Sequence, residues 1–228
     1  MFYKFVLWII NFIPLELLYI VNFIRYSFLY KKAIVSPKAF LFQTTLWYKT
    51  SISPEVSTYK CDIWDFTYLN WWTWSRFSSQ TRTNLTNVKI WKFCSIWPCL
   101  EIPWWTHHMN KITTFPIQSN VMWRNEKNDI IHKQTIIWND VRIWVGVVII
   151  AWTIVWDWAV IWAWSVVTKD IPSYAVVGWT PAKIIKYRFT QDEIEILLEK
   201  KWRDRPLEKI KKNIDLFDSS NPLDIQNI

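Results

Sequence analysis

The chain has 228 residues, with 27 Lys plus Arg against 19 Asp plus Glu, a formal net charge of +8 and a pI near 9.3. That length suffices for one domain with a real core, and a hydrophobic content of 51% excludes a disordered chain. Cys61, Cys94 and Cys99 are too few for a disulfide framework, and with neither a CxxC pair nor a His-rich cluster there is no zinc pattern, so a reducing compartment and a site without metal are expected.

Residues 1–35 have the pattern of an apolar, membrane-associated helical segment. Between Phe5 and Ile24 only Asn11, Pro14, Glu16 and Asn22 interrupt the apolar run. One helix of that length could just cross a bilayer, but Pro14 and Glu16 fall near its middle, where a kink and a charge are costly. Two short interfacial helices or a re-entrant pair fit as well, and a buried hairpin capping a soluble core is the alternative. Arg25, Lys31 and Lys32 follow directly. They place what comes after on the cytoplasmic face.

From about Ser51 to Val167 the sequence repeats. Ile137, Ile143, Ile149, Val155, Ile161 and Val167 recur at a spacing of six, and Val141, Val147, Thr153, Ala159 and Ser165 stand four residues after the first five. Neither a helix nor a simple half-buried strand has this period. Chain that turns a corner every six residues does, with one large and one small inward residue on each side. Three sides make one coil of a triangular solenoid, so residues 137–154 and 155–172 are predicted to be two coils. Ile90, Ile96 and Ile102 keep the same spacing, and Ile63 with Leu69 begins another stretch. Between Pro103 and Thr135 the period is lost, which marks a long insertion. After Pro172 the solenoid ends. Thr190-Gln-Asp-Glu193 is a capping box that opens a helix with Ile194, Leu197, Leu198 and Trp202 on one face, which Pro206 breaks. Leu207, Ile210 and Ile214 mark a second short helical stretch before a polar tail.

The segments KIWKFCSIWPCLEI (89–102), WWTHHMNKITTFP (104–116), IIWNDVRIW (136–144) and VIWAWSVVTKDIPSYAVVGWTPAKIIKYRF (160–189) resemble the hexapeptide-repeat acyltransferases. Within them they resemble the branch of xenobiotic (streptogramin and chloramphenicol) and surface-polysaccharide O-acetyltransferases. The resemblance implies an all-β solenoid: a left-handed parallel β-helix over residues 36–189, an extruded catalytic loop at 103–135, and C-terminal helices and tail over 190–228. It also implies a homotrimer with its active sites between subunits.

One departure is systematic. The chain has 2 Gly and 20 Trp, where average usage of roughly 7% would give about 16 glycines. Trp64, Trp91, Trp97, Trp104, Trp105, Trp138, Trp144, Trp152, Trp156, Trp158, Trp162, Trp164 and Trp179 all stand where the family pattern has glycine. Within the repeat they fall at corner and outer positions, never at the inward aliphatic one. The economical reading is UGA translated as tryptophan in a gene that means glycine. Trp202, on the helix face, reads as a true tryptophan.

The resemblance assigns His107, on the inserted loop, as general base on the acceptor hydroxyl, and His108 matches a variable position; His132, before Lys133 at the return to the coils, reads as structural. A neutral imidazole with a pKa near 6.5 suits that proton transfer. Acetyl-CoA is the implied donor. Val145 and Ala163 match backbone contacts to its pantetheine arm, Thr168 and Lys169 lie in the VVTKD turn, and Lys183 and Lys186, with Arg188 beside them, match cations for its phosphates. Arg142 replaces a family tryptophan. Tyr68 and Asn70 are acceptor-side candidates. The expected activity is acetyl-CoA-dependent O-acetyl transfer to a saccharide hydroxyl of the cell envelope, and the alternative acceptor is an antibiotic of the streptogramin or chloramphenicol kind. A reading from another class takes the indoles literally, as ladders of a non-catalytic solenoid that stack on sugar rings.

Overall fold

A computed structural model of the chain describes residues 33–36, 39–53, 56–69, 82–103, 105–107, 110–115, 117, 121–122, 129–131, 133–217, 219 and 221–227, with the backbone alone at 105–107, 129–131 and 225–227. The apolar segment expected over 1–35 lies outside the described residues as far as residue 32, and so do Asn70, His108 and His132.

The six-residue period is a side of three residues followed by a corner of three. Along a side the residues alternate in, out, in, because successive strand side chains point to opposite faces. In Val141-Arg142-Ile143 the outer two are fully buried while Arg142 is exposed. Thr135-Ile136-Ile137, Val147-Val148-Ile149 and Ala159-Val160-Ile161 repeat the pattern. At the third corner residue the backbone turns through the left-handed region, with φ of 52° at Asp140, 72° at Gly146, 66° at Trp152, 61° at Trp158 and 60° at Trp164.

Successive sides pair in parallel into three sheets. Sheet A runs through Ile34–Val35, Ser51–Ile52, Tyr68–Leu69, Ser95–Ile96, Arg142–Ile143, Val160–Ile161 and Ala175–Gly178, and Lys183–Tyr187 adds to its end antiparallel. Sheet B runs through Phe40–Phe42, Val56–Tyr59, Thr83–Thr86, Glu101–Ile102, Val148–Ile149 and Val166–Val167. Sheet C runs through Thr45–Leu46, Asp62–Ile63, Val88–Ile90, Thr135–Ile137 and Ile154–Val155. The chain visits A, B and C in turn and is a left-handed parallel β-helix.

The large inward residues stack in register from coil to coil: Leu69, Ile96, Ile143, Ile161 and Val177 form one column inside sheet A, each fully buried. Burial of each aliphatic side chain contributes roughly 1.5–3 kcal/mol. Small inward residues sit beside the corners, where a hydroxyl reaches the corner carbonyl. Thr50 donates to the Trp47 carbonyl at 2.8 Å, Thr153 to Ile150 at 2.6 Å and Ser165 to Trp162 at 2.6 Å. Such bonds satisfy backbone groups that turn away from the sheet ladders. The thiols of Cys61 and Cys94 occupy the same small positions, and burial pushes the Cys61 thiol up to about 12, so it stays protonated. The prism begins earlier than the repeat near Ser51 suggests: Ala39, Leu41 and Leu46 already fill it.

The corner between sheets C and A carries a column of indoles. Trp47, Trp64, Trp91, Trp138 and Trp156 stack with successive ring centroids 4.5, 4.7, 4.8 and 5.6 Å apart. The Nε1 atoms of Trp64, Trp91 and Trp138 are buried without an acceptor. The C-terminal segment covers the end of this corner. Thr190 and Glu193 make the expected capping box, and the helix Gln191–Lys200 buries Ile194 and Leu197 against Trp158 and Tyr174. Trp202 joins that cluster from a 3-10 turn beyond the helix. The helix stops earlier than Pro206 implies, because Lys201 turns through the left-handed region at φ 44°. Among the described residues no helix is long and apolar enough to cross a membrane.

Candidate active site

The inserted segment leaves the prism at the corner from sheet B to sheet C, after Ile102, and returns at Thr135. It sets out as an antiparallel ribbon, Trp105–His107 paired with Asp129–Ile131, in which Trp105 opposes Ile131, Thr106 opposes Ile130 and His107 opposes Asp129. Extended backbone advances about 3.3 Å per residue, so residue 107 stands up to roughly 16 Å from the prism wall. Beyond the ribbon Ile112, Phe115, Ile117, Val121 and Met122 are exposed. The sequence singles out neither Asp129 nor Glu101. Asp129 is placed opposite His107 only by ribbon register. Glu101, on the strand at the foot of the arm, accepts a hydrogen bond from Asn84 Nδ2 at 2.6 Å, and burial pushes its carboxyl above the usual range.

The other candidates fall into two groups. Thr168 and Lys169 lie at the same B-to-C corner as the arm, following Val166–Val167. The strand order places them two coils above the arm's root, about 10 Å along the prism. Val145 and Ala163 occupy equivalent places in successive coils at the A-to-B corner, where the Trp164 amide donates to the Val145 carbonyl at 3.0 Å. Tyr68 is on sheet A, in register with Ser95 and, through it, with Arg142. Arg142 is exposed as expected, and its guanidinium lies 4.5 Å over the Trp144 ring. Within one chain, then, the arm shares an edge with Thr168 and Lys169, while Val145, Ala163 and Tyr68 belong to another edge and face.

Lys183 and Lys186 pair with Gly178 and Val176 on the strand that closes sheet A. Three residues apart on a regular strand, they would face opposite ways; a register shift between Val176 and Val177 brings both to one side. Both are exposed. Arg188 departs from the expectation that it joins them. Its Nη1 donates to the Trp158 carbonyl at 3.1 Å, and its guanidinium lies 5.7 Å from the Tyr174 ring and 5.4 Å from the Phe189 ring. Arg188 thus ties the coil to the C-terminal segment, because the strand has ended one residue earlier and the chain has turned toward the helix. Beside it, Asn139 donates from its backbone and side-chain nitrogens to Asp157 Oδ1 at 2.9 and 2.8 Å, and Arg203 pairs with Asp157 at 3.4 Å.

Among the described residues no group of three or more His, Cys, Asp or Glu side chains is placed to hold a metal ion. The indole column does not offer free faces along its length, since successive rings cover one another at stacking distance.

No family model matches the chain. Over 55 residues, 24% of this chain and 26% of the relative, it is 54% identical to a chloramphenicol acetyltransferase of Klebsiella aerogenes. Over 54 residues it is 46% identical to a chloramphenicol acetyltransferase of Escherichia coli. These matches span about a quarter of the curated relatives' length. Among solved structures, AntD, an N-acyltransferase from Bacillus cereus in complex with dTDP and 3-hydroxybutyryl-CoA, superposes with a TM-score of 0.55 at 16% identity, over 73% of this chain and 85% of that one. The chain thus carries the fold of the hexapeptide-repeat acetyltransferases and, over a quarter of its length, close sequence similarity to chloramphenicol acetyltransferases.

Proposed function

We propose that this protein is an acyltransferase that moves an acetyl group from acetyl-CoA to a hydroxyl of a saccharide of the cell envelope, with His107 as general base. The observation that carries this reading is the arm. Between Glu101–Ile102 and Thr135–Ile137, at the B-to-C corner, the coils give way to a paired ribbon that carries residue 107. The imidazole takes the acceptor's proton, the oxygen attacks the thioester carbonyl carbon, the carbon–sulfur bond breaks, and the departing CoA thiolate takes up the proton. Thr168 and Lys169 are on the arm's own edge, whereas Val145, Ala163, Lys183, Lys186 and Tyr68, assigned to donor and acceptor, stand on another side of the prism. A homotrimer, in which one copy's arm meets another copy's edge, unites the two groups. The exposed apolar residues of the arm support such a contact. The apolar segment 1–35 and the net charge of +8 support a place on the cytoplasmic face of a membrane.

A second reading has a specific observation in its favour. The identity of 54% to a chloramphenicol acetyltransferase points to an antibiotic hydroxyl as acceptor. Release of CoA thiol from acetyl-CoA, followed with a panel of saccharides, streptogramins and chloramphenicol, separates the two. Saccharide-dependent release that falls by about 10²–10⁴-fold in His107→Ala supports the first reading. Release with the antibiotics alone replaces it by the second. Equal turnover by wild type and His107→Ala removes His107 from its role.

A further inference from the structure

The C-terminal segment crosses the C-to-A edge of the prism and encloses a cavity of about 360 Å³ there, within the range of small-molecule sites. One wall comes from that corner in three successive coils: Tyr48, then Asp65 with Phe66, then Lys92 with Phe93. The other is Arg203 and Arg205, followed by Leu207 and Ile210, which the short helix Leu207–Lys212 turns to one side because they are three residues apart. No tryptophan is among these walls. The charges of the cavity do not balance. Lys92 and Arg205 are both half-buried, and neither side chain has an ion pair or a hydrogen bond among the described residues. Asp65 is the single carboxylate of the lining, and its Oδ1 accepts from the Tyr48 amide at 2.9 Å. Arg203 is set against Asp157 at 3.4 Å with its side chain only 12% exposed, yet its Nη1 is buried without an acceptor. With that ion pair set aside, the lining keeps an excess of one positive charge. Cations gathered at a half-buried wall without a counter-ion repel one another and cost stability, and a bound anion removes that cost.

The aromatic wall selects the rest of the ligand. Phe66 and Phe93 stack face to face with centroids 5.1 Å apart and planes 1° from parallel, and Trp202 follows 5.3 Å beyond Phe93. Tyr48 meets Phe66 edge-on at 5.5 Å. With their faces turned on one another, the two phenyl rings present edges to the cavity, and an edge is the positive end of the ring quadrupole. A flat aromatic ring seated there meets those edges with its own negative face and the aliphatic carbons of Leu207 and Ile210 with the other. We infer that this cavity is a binding site for an aromatic carboxylate, whose ring lies between the stack of Phe66 with Phe93 and the helix, and whose carboxylate lies at Lys92 and Arg205. The site stands apart from the acetyl-transfer reading, since the arm leaves from the B-to-C corner and no residue assigned to donor or acceptor lines this cavity.

Calorimetry on the full chain with naphthoate tests it, and naphthamide, the same ring without the charge, is the comparison. Naphthoate is expected to bind with a Kd of about 1 mM or tighter, and the amide at least about tenfold more weakly. Lys92→Met and Arg205→Met, which keep an apolar stem and remove the charge, are each expected to weaken naphthoate by about tenfold. Asp65→Asn keeps an acceptor for the Tyr48 amide and removes the one opposing charge of the lining, so it tightens naphthoate by about threefold at low salt. That arm stands even where a cation variant fails to fold. Lys212→Ala removes an exposed cation of the same helix that lies outside the cavity, and it leaves the affinity unchanged. No binding of naphthoate at about 1 mM, equal binding of the amide, a folded cation variant that binds as wild type does, an Asp65→Asn protein that binds no tighter, or an equal loss in Lys212→Ala overturns the site.

Discussion

Ile143→Ala tests the prism itself. Ile143 is fully buried and lies in register between Ile96 in the coil before it and Ile161 in the coil after it. The change removes three carbons, worth about 2 kcal/mol in transfer free energy at ~0.8 kcal/mol per methylene. The columns on either side are held by ladder hydrogen bonds and cannot collapse into the gap, so a cavity term adds to it, for a total of about 3–4 kcal/mol. Arg142, one residue earlier on the same strand, points the other way. It is exposed and loses only its packing on Trp144, so Arg142→Ala costs less than about 1 kcal/mol. Denaturant unfolding at one fixed protein concentration, with the slope unchanged, reads both values. An Ile143→Ala protein within about 1 kcal/mol of wild type, or an Arg142→Ala protein destabilised as much, would refute the inward and outward assignment on which the coils depend.

The cations after the last parallel strand separate into two roles. Lys183→Ala and Lys186→Ala are expected to raise the KM for acetyl-CoA with the melting temperature unchanged. Arg188→Ala is expected to lower the melting temperature with that KM unchanged, because it loses its bond to the Trp158 carbonyl; a raised KM in Arg188→Ala would return it to the phosphate site. Asp140 supplies a pH signature. Burial pushes its carboxyl up to about 6, Arg188 opposes that rise and Asp157 adds to it. The native state therefore holds a proton that the unfolded chain releases, so this contribution to stability is complete below the unfolded pKa near 4 and is lost as pH rises through about 6. Chemical unfolding across that window should show stability falling with pH in the wild-type chain and a flatter profile in Asp140→Asn; identical slopes would dismiss Asp140 as the source.

The sequence alone determined the three-sided coil, because a period of six with paired inward residues has one simple physical solution, and Ile137 through Val167 repeat it without interruption. It also determined the capping box at Thr190 and Glu193, a local device complete within four residues. The first coils were harder to read. There the inward positions hold Leu41, Leu46 and Thr50, spaced five and four apart, and corner lengths vary. The resemblance supplied His107, but the residue facing it across the ribbon was invisible: Asp129 is far away in sequence, and register is set by where the arm turns back. Only the tertiary structure divided PAKIIKYR into two exposed lysines and an arginine bound to the coil, since a single register shift rotates one residue in five out of the expected alternation. Composition says that tryptophan is in excess; only the coils show Trp152, Trp164 and Trp179 on left-handed corners with exposed indoles while Trp47, Trp64, Trp91, Trp138 and Trp156 stack in one column.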